Sequence, residues 1–353
     1  MNDRTPTPQH FRDYDRIHKI AVLGAGSWGT ALAKLLADKG YDVSLWAYER
    51  ELVESINTTH INDLYLPSAV LPANLRATND IAEALTGCDM ILSVSPSHVV
   101  RHVMGQASEH IPVGVPIVSA SKGIENESLK LVSDILEDVL PVRCHPYLAY
   151  LSGPSFAKEV AAQQPTAVVI ASYSHQLAVK IQHVFHAPFF RTYTSQDVVG
   201  VEIGGALKNV VAIAAGVAAG MGLGHNAMAA VLTRGLNEIA RLAVRRGANP
   251  LTLQGLSGMG DLVLTCTGPL SRNRTVGFKL GEGMSIDAIL GEMRMVAEGV
   301  KTSQSVHDLA AELGVDMPIS EAVYQVIYQG QSATEAVKGL MARELKVEMQ
   351  LYA

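Results

Sequence analysis

Gly24-Ala-Gly26-Ser-Trp-Gly29 is the segment whose residue types and spacing most directly imply chemistry. In a Gly-x-Gly-x-x-Gly turn the first glycine permits a tight reversal and the second lets the backbone approach a pyrophosphate. The third lets a helix pack closely on the preceding strand. The helix that follows offers unsatisfied N–H groups and the positive end of its dipole to the phosphates. The turn therefore reads as a dinucleotide site. NAD-specific sites place a carboxylate about 20 residues further on, at the tip of the second strand. Here that stretch is Leu45-Trp-Ala-Tyr-Glu-Arg50, with no carboxylate at the tip itself. Tyr48 is placed to stack on adenine and Arg50 to face a 2′-phosphate, which leans toward NADP, while Glu49 keeps NAD open. The alternative is that these are ordinary solvated loop residues.

Further along, Lys208 stands among the apolar neighbours Val201, Ile203, Val210 and Val211. A long helical side chain leans toward the N-terminus, so Lys208 should lie over Gly204 and Gly205, which are expected to leave open space for a ligand. Lys122, in Ala120-Ser-Lys-Gly123, follows a strand at the end where open α/β sheets bind ligands. Asp261, in Gly258-Met-Gly-Asp261, is suited to orient Lys208 or a substrate hydroxyl through a charge-assisted bond. Ser271-Arg272-Asn273 combines an N-cap residue, a helix start and a guanidinium fork, the donors of an anion clamp. Each has a plainer reading: a surface lysine, a loop lysine, a capping aspartate, a simple capped helix. His98, His145 and His225 show no metal-ligand spacing, so no metal is expected.

The elements that must position these groups can be read from periodicity. Lys19-Ile-Ala-Val-Leu23 is a β-rich apolar run leading into the glycine turn, Thr30 to Lys39 is helical, and Asp42 to Ala47 is a second strand after Gly40. Further strands are expected at 90–94, 116–120, 147–151, 166–170 and 190–193, separated by helix-length segments. Such alternation predicts a doubly wound, mostly parallel α/β sheet. From Val198 onward the strand runs stop, and segments such as Asn226 to Arg246 and Glu321 to Gly330 have helical spacing. The expected division is a polar N-terminal extension over 1–18, a dinucleotide-binding Rossmann domain over 19–197 and an all-α domain over 198–353.

Length and composition agree with two cores: 353 residues, 48% hydrophobic and 18% charged, with no biased tract. A net charge of −6 with scattered basic residues argues against nucleic acid as a partner. Cys88, Cys144 and Cys266 form no disulfide or zinc pattern, and Met1 to Lys19 lacks the apolar core of a signal peptide, so the cytoplasm is the expected location. The apolar run Val210 to Gly224 is too short to span a bilayer and is read as a buried helix, leaving no membrane span expected.

Several segments together resemble the bacterial NAD(P)-dependent glycerol-3-phosphate dehydrogenase family. They are Gly24 to Ala33, Tyr65-Leu-Pro67, Ser121-Lys-Gly123, Ser152-Gly-Pro-Ser-Phe-Ala-Lys-Glu159, Gly204 to Asn209, Gly258 to Thr267, Ser271-Arg-Asn-Arg274 and Val296-Ala-Glu-Gly299. They follow the family's order and span nearly the whole chain after the first twenty or so residues; Ser155 and Trp28 are small departures. The resemblance implies a Rossmann domain followed by a helical domain of the 6-phosphogluconate dehydrogenase C-terminal-like type. It implies reversible hydride transfer between NAD(P)H and dihydroxyacetone phosphate, giving sn-glycerol 3-phosphate for phospholipid synthesis. By resemblance Lys208 is the proton donor and acceptor and Lys122 touches substrate and cofactor, while Asp261 is expected to orient Lys208 or the substrate hydroxyl. Gly153, Ser155, Ser271, Arg272 and Asn273 approach the substrate. Ser27, Trp28, Ala157, Arg272, Val296 and Glu298 join the glycines at the cofactor. The nearest competing enzyme is a 6-phosphogluconate-type dehydrogenase, against which Ser271-Arg272-Asn273 and Thr265-Cys-Thr267 argue. A non-catalytic NADP sensor would be expected to lose the lysine or the clamp. The oligomeric state is not fixed by the sequence, and a homodimer is one option.

Overall fold

The structure, a computed structural model, describes residues 17–293, 297–345, 347 and 348. Two compact units emerge: one comprises the described residues to Lys122 together with Val132–Val198, the other Gly123–Leu131 with the described residues from Val199 onward.

In the first unit, β1 (Lys19–Leu23), β2 (Asp42–Trp46), β3 (Ile61–Asn62), β4 (Leu66–Val70), β5 (Leu75–Thr78), β6 (Met90–Ser93), β7 (Ile117–Ser119), β8 (Leu148–Ser152), β9 (Thr166–Ala171) and β10 (Phe190–Ser195) follow one another along the chain. Eight form one sheet in the order β10-β9-β8-β7-β6-β1-β2-β5, while β3 and β4 pair apart from it. All neighbours in the large sheet run parallel except β8 and β9. Ile20 to Leu23 are buried on both faces, which is why this strand is a continuous apolar run rather than an alternating one. The strand order reverses between β1 and β6, the point where open α/β sheets bind ligands beyond their carboxyl ends.

Each of the seven expected strands is present within a residue or two, but β3, β4 and β5 were not anticipated. β4 carries Pro67, which weakens a strand signal, and β3 is only two residues long.

Among the described residues of the second unit, the named elements are helical, and Ile124 and Leu131 form a lone bridge. The helix Val198–Gly220 is longer than the apolar run suggested: 23 residues, long and apolar enough to cross a membrane, with 83% of its most apolar window buried. It is the core helix around which the others pack. Helix Arg272–Gly281 meets it at backbone distance: a Cβ added at Gly216 would lie 2.9 Å from Gly277 Cα, and one added at Gly281 would lie 3.0 Å from Gly220 Cα. Four glycines, two on each helix at i and i+4, thus form a seam with no side chains between the helices. Residues 123–131 belong to the same core, through buried Ile124 and Leu131 and through Ser305 Oγ, which donates to Ile124 O at 3.2 Å.

Because the obstructing atoms are backbone and cannot rotate away, Gly277→Ala is expected to destabilise by about 3 kcal/mol. In a calorimetric scan this would lower the midpoint by more than about 5 °C; an unchanged midpoint would show that the seam is not tightly packed.

Candidate active site

In the first unit the glycine turn follows β1 directly. Gly24 has φ +124°, and a Cβ there would lie 2.8 Å from Val94 O, just beyond β6. A Cβ at Gly29 would overlap the Gly24 carbonyl oxygen, so only glycine lets the helix Ser27–Asp38 start so close to its strand. Gly26 is the N-cap of that helix, with no side chain capping it, and a Cβ added there meets nothing within 4 Å. The turn therefore presents uncapped helix N–H groups beside open space, which fits a dinucleotide's phosphates. Ser27 Oγ donates to Tyr65 O at 2.7 Å. Trp28 packs on the sheet core, with its indole nitrogen buried and without a hydrogen-bond partner.

Beyond β2, Tyr48 is 82% exposed and Arg50 begins the helix Arg50–Thr59. Glu49 is engaged: its carboxylate accepts from the Tyr65 hydroxyl at 2.7 Å. Burial, and then the hydrogen bond and charge of Glu49, push the Tyr65 phenol up to about 12, so it stays a donor. Past β7, Lys122 Nζ donates to Gly153 O at 3.0 Å, and Ser155 Oγ donates to the same carbonyl at 2.9 Å. Lys122, Gly153 and Ser155 are thus gathered at one carbonyl. Gly153 has φ +135°, a backbone conformation that favours glycine. Ala157 opens the short helix Ala157–Ala161 and packs partly on the sheet core.

The second unit buries an ion pair. Lys208 is 7% exposed and Asp261 2% exposed, with Nζ and Oδ1 at 3.2 Å. Lys208 Nζ also donates to Thr265 Oγ1 at 2.9 Å and to Asn209 Oδ1 at 3.3 Å. Thr265 passes its own proton back to Asp261 O at 2.6 Å, one turn earlier in the helix Asp261–Thr267. Asn209 Oδ1 receives Asn273 Nδ2 at 2.9 Å, and Asn273 Oδ1 accepts the Gly299 N–H at 2.9 Å. The three hydrogens of the ammonium thus have three acceptors, and helices Val198–Gly220, Asp261–Thr267, Arg272–Gly281 and Glu298–Leu313 are tied to one another around it.

Lys208 and Asp261 are brought together, and Asp261 is the first residue of its helix; Gly260 is the N-cap and no side chain caps it, so Asp261 does not act as a cap. Ser271 is the N-cap of the helix Arg272–Gly281, its Oγ accepting from Arg274 N at 3.2 Å. Asn273 turns inward to the network, while Arg272 is exposed. Glu298 is the first residue of its helix, and Val296 lies outside the described residues. One expectation is corrected: Gly204 does not leave open space. A Cβ there would meet Ser257 O and, at 3.2 Å, Leu253 Cδ1, so this glycine admits a neighbouring backbone instead. Asn209 and Thr265 were not singled out as site residues. The signal was there: a second polar residue beside Lys208 in an apolar helix, and a threonine one turn after Asp261.

Two family models cover the chain. The N-terminal model of NAD-dependent glycerol-3-phosphate dehydrogenase matches residues 19–178 and the C-terminal one matches 197–338. The chain belongs to this family. It is 56% identical over 331 residues to the glycerol-3-phosphate dehydrogenase [NAD(P)+] of Anaeromyxobacter sp. strain K, covering 94% of this chain and 100% of that one. It is 57% identical to the like-named protein of Geobacter metallireducens, over 94% and 98% of the two chains. The crystal structure of glycerol-3-phosphate dehydrogenase from Coxiella burnetii superposes with a TM-score of 0.87 at 39% identity, over 92% of this chain and 99% of that one.

Two outcomes follow for the second unit. Removing only the carboxylate, Asp261→Leu, leaves a buried ammonium without its counter-charge and should cost about 3 kcal/mol. Replacing both groups, Lys208→Met with Asp261→Leu, should recover most of that loss in denaturant titrations; a double variant less stable than Asp261→Leu would disprove the pairing argument. Cys266, on the same helix, has its thiol pushed up to about 12, by burial first, with Lys208 opposing. Iodoacetamide should therefore leave Cys266 unmodified in the native protein from pH 7 to pH 9, read by peptide mass mapping, whereas fast alkylation would mean the helix opens.

Proposed function

We propose that this chain catalyses reversible hydride transfer between NAD(P)H and dihydroxyacetone phosphate, forming sn-glycerol 3-phosphate, the backbone of phospholipids. The observation that carries this reading is the buried Lys208–Asp261 pair, held by Thr265 and Asn209 in a chain whose first unit bears a built dinucleotide turn. The bound dinucleotide supplies the hydride that reaches C2. The protein must supply a proton to the C2 oxygen, and Lys208 Nζ is the donor; in the reverse direction it takes the hydroxyl proton. Asp261 supplies the counter-charge beside Nζ, and Thr265 and Asn209 hold the side chain in place. Arg272 and the N–H groups at the start of its helix receive the substrate phosphate, a role that its exposure and the Ser271 cap support. Within the first unit, Lys122, Gly153 and Ser155, gathered at one carbonyl, are the groups that the family resemblance assigns to substrate, and Lys122 and Ala157 those it assigns to the cofactor.

NADP is the preferred cofactor in this reading. The carboxylate nearest the β2 tip, Glu49, is engaged by Tyr65, while Arg50 stands at a helix start with Tyr48 exposed beside it. A cytoplasmic location fits three buried free cysteines.

Purified protein should oxidise NADPH only when dihydroxyacetone phosphate is added, faster than it oxidises NADH, and not with glyceraldehyde 3-phosphate. Lys208→Ala should lower kcat at least about a hundredfold. Tight cofactor binding without turnover would remove the assignment.

A further inference from the structure

The Tyr65-Leu-Pro67 segment has no part in the chemistry above, yet the excursion containing β3 and β4 is bonded to the glycine turn and its helix start at three points. Asn62 is fully buried. Its Nδ2 donates to Ala25 O at 2.8 Å and to Thr30 Oγ1 at 2.7 Å. Thr30, also fully buried, donates to the same Ala25 carbonyl at 3.1 Å. Asn62 Oδ1 accepts the Tyr65 N–H at 2.9 Å, which fixes which end of the amide faces the turn. Tyr65 O in turn accepts from Ser27 Oγ at 2.7 Å. Asn62 and Thr30 thus satisfy each other and the Ala25 carbonyl in a fully buried cluster.

The Ala25–Gly26 peptide leads into the second glycine of the motif. A trans peptide holds its C=O and N–H on opposite sides, and the described backbone contains no cis bond. Holding the Ala25 carbonyl from behind with two donors therefore sets the direction in which the Gly26 N–H points. Gly26 is the uncapped N-cap with open space beside it, and such N–H groups bind phosphate only when they converge on it. Gly26 forms one flank of this peptide, so on that side its plane has little intrinsic preference and an external restraint can set it.

We propose that Asn62 is a positioning residue for the dinucleotide: through Ala25 O, and jointly with Thr30, it fixes the Ala25–Gly26 peptide so that the turn meets the pyrophosphate already formed. The proposal rests on the dinucleotide reading above and adds a residue that does not itself touch the cofactor. It makes the Asn62–Tyr65 segment part of the cofactor site.

The test is NADPH affinity measured by calorimetric titration of the full-length protein, with thermal midpoint and steady-state kinetics alongside. Asn62→Ala is expected to raise Kd and KM for NADPH about tenfold, the loss of one or two buried hydrogen bonds. The value of kcat and the KM for dihydroxyacetone phosphate should stay within about twofold, because transition-state contacts are untouched. Thr30→Val should raise the NADPH Kd in the same direction, and Thr30→Ser, which keeps the hydroxyl, should restore it. Asn57→Ala is the control. That amide brackets the Ala77 peptide with bonds of 2.9 and 2.8 Å in the same unit, away from the turn, and its loss should lower the midpoint without changing Kd. If Asn62→Ala does not fold, the Thr30→Val and Thr30→Ser pair decides. Variants that lose stability but keep the wild-type Kd would overturn the proposal alone, whereas a wild-type protein that does not bind NADPH would remove the dinucleotide reading and the proposal with it.

Discussion

A lysine ammonium inside a helical core stays charged only if acceptors surround it, since an unpaired buried charge costs several kcal/mol. Lys208 meets that demand with a carboxylate, a hydroxyl and an amide oxygen from three positions, and each of these is itself fixed by a further bond. The requirement reaches outward. Asn209 can serve the lysine only because Asn273 holds it, and Asn273 reaches Asn209 only where helix Arg272–Gly281 approaches the core helix Val198–Gly220. The four-glycine seam permits that approach by removing every side chain from the crossing. A buried lysine, a polar network and a backbone-to-backbone contact are therefore bound together by one electrostatic need.

The first unit meets a different need by similar means. Its turn must be open to a ligand and yet held in one shape. Glycine supplies the openness and denies the rigidity, so the rigidity comes from buried side chains behind the loop: Asn62 and Thr30 at the Ala25 carbonyl, with Ser27 tied to Tyr65. At Lys122 the arrangement is simpler, a single carbonyl of a left-handed glycine gathering two donors.

Much of this was legible in the chain. The glycine turn was readable because its three glycines, flanking strand and helix lie within one short segment, where local sterics decide the outcome. The seven main strands were readable because a strand buried on both faces has to be uniformly apolar. The rest depends on partners far along the chain. Lys208 and Thr265 are 57 residues apart, Asn209 and Asn273 are 64 apart, and Asn62 and Ala25 are 37 apart. A lone Asn or Thr carries no period and no motif, so its choice of partner is invisible until the fold brings the two together. Gly204 failed for the same reason: a missing side chain looks like a vacancy in sequence, and only the fold shows that another backbone fills it.

The placement of residues 123–131 bears on how the chain comes to fold during synthesis. Ile124 and Leu131 pack in the helical core, whose other members run from Ile203 to Ile327, while the strands β8, β9 and β10 of the sheet unit lie between. The sheet unit can complete its own hydrogen bonds as it emerges from the ribosome, but this nine-residue loop must wait, with two aliphatic side chains uncovered, until the helices that receive them have been translated. Domains generally fold in order of emergence, and exposed apolar surface is what chaperones bind. The loop thus makes the nascent sheet unit a holder of one unfinished piece of its successor, so that the helical core closes onto a segment already anchored at both ends.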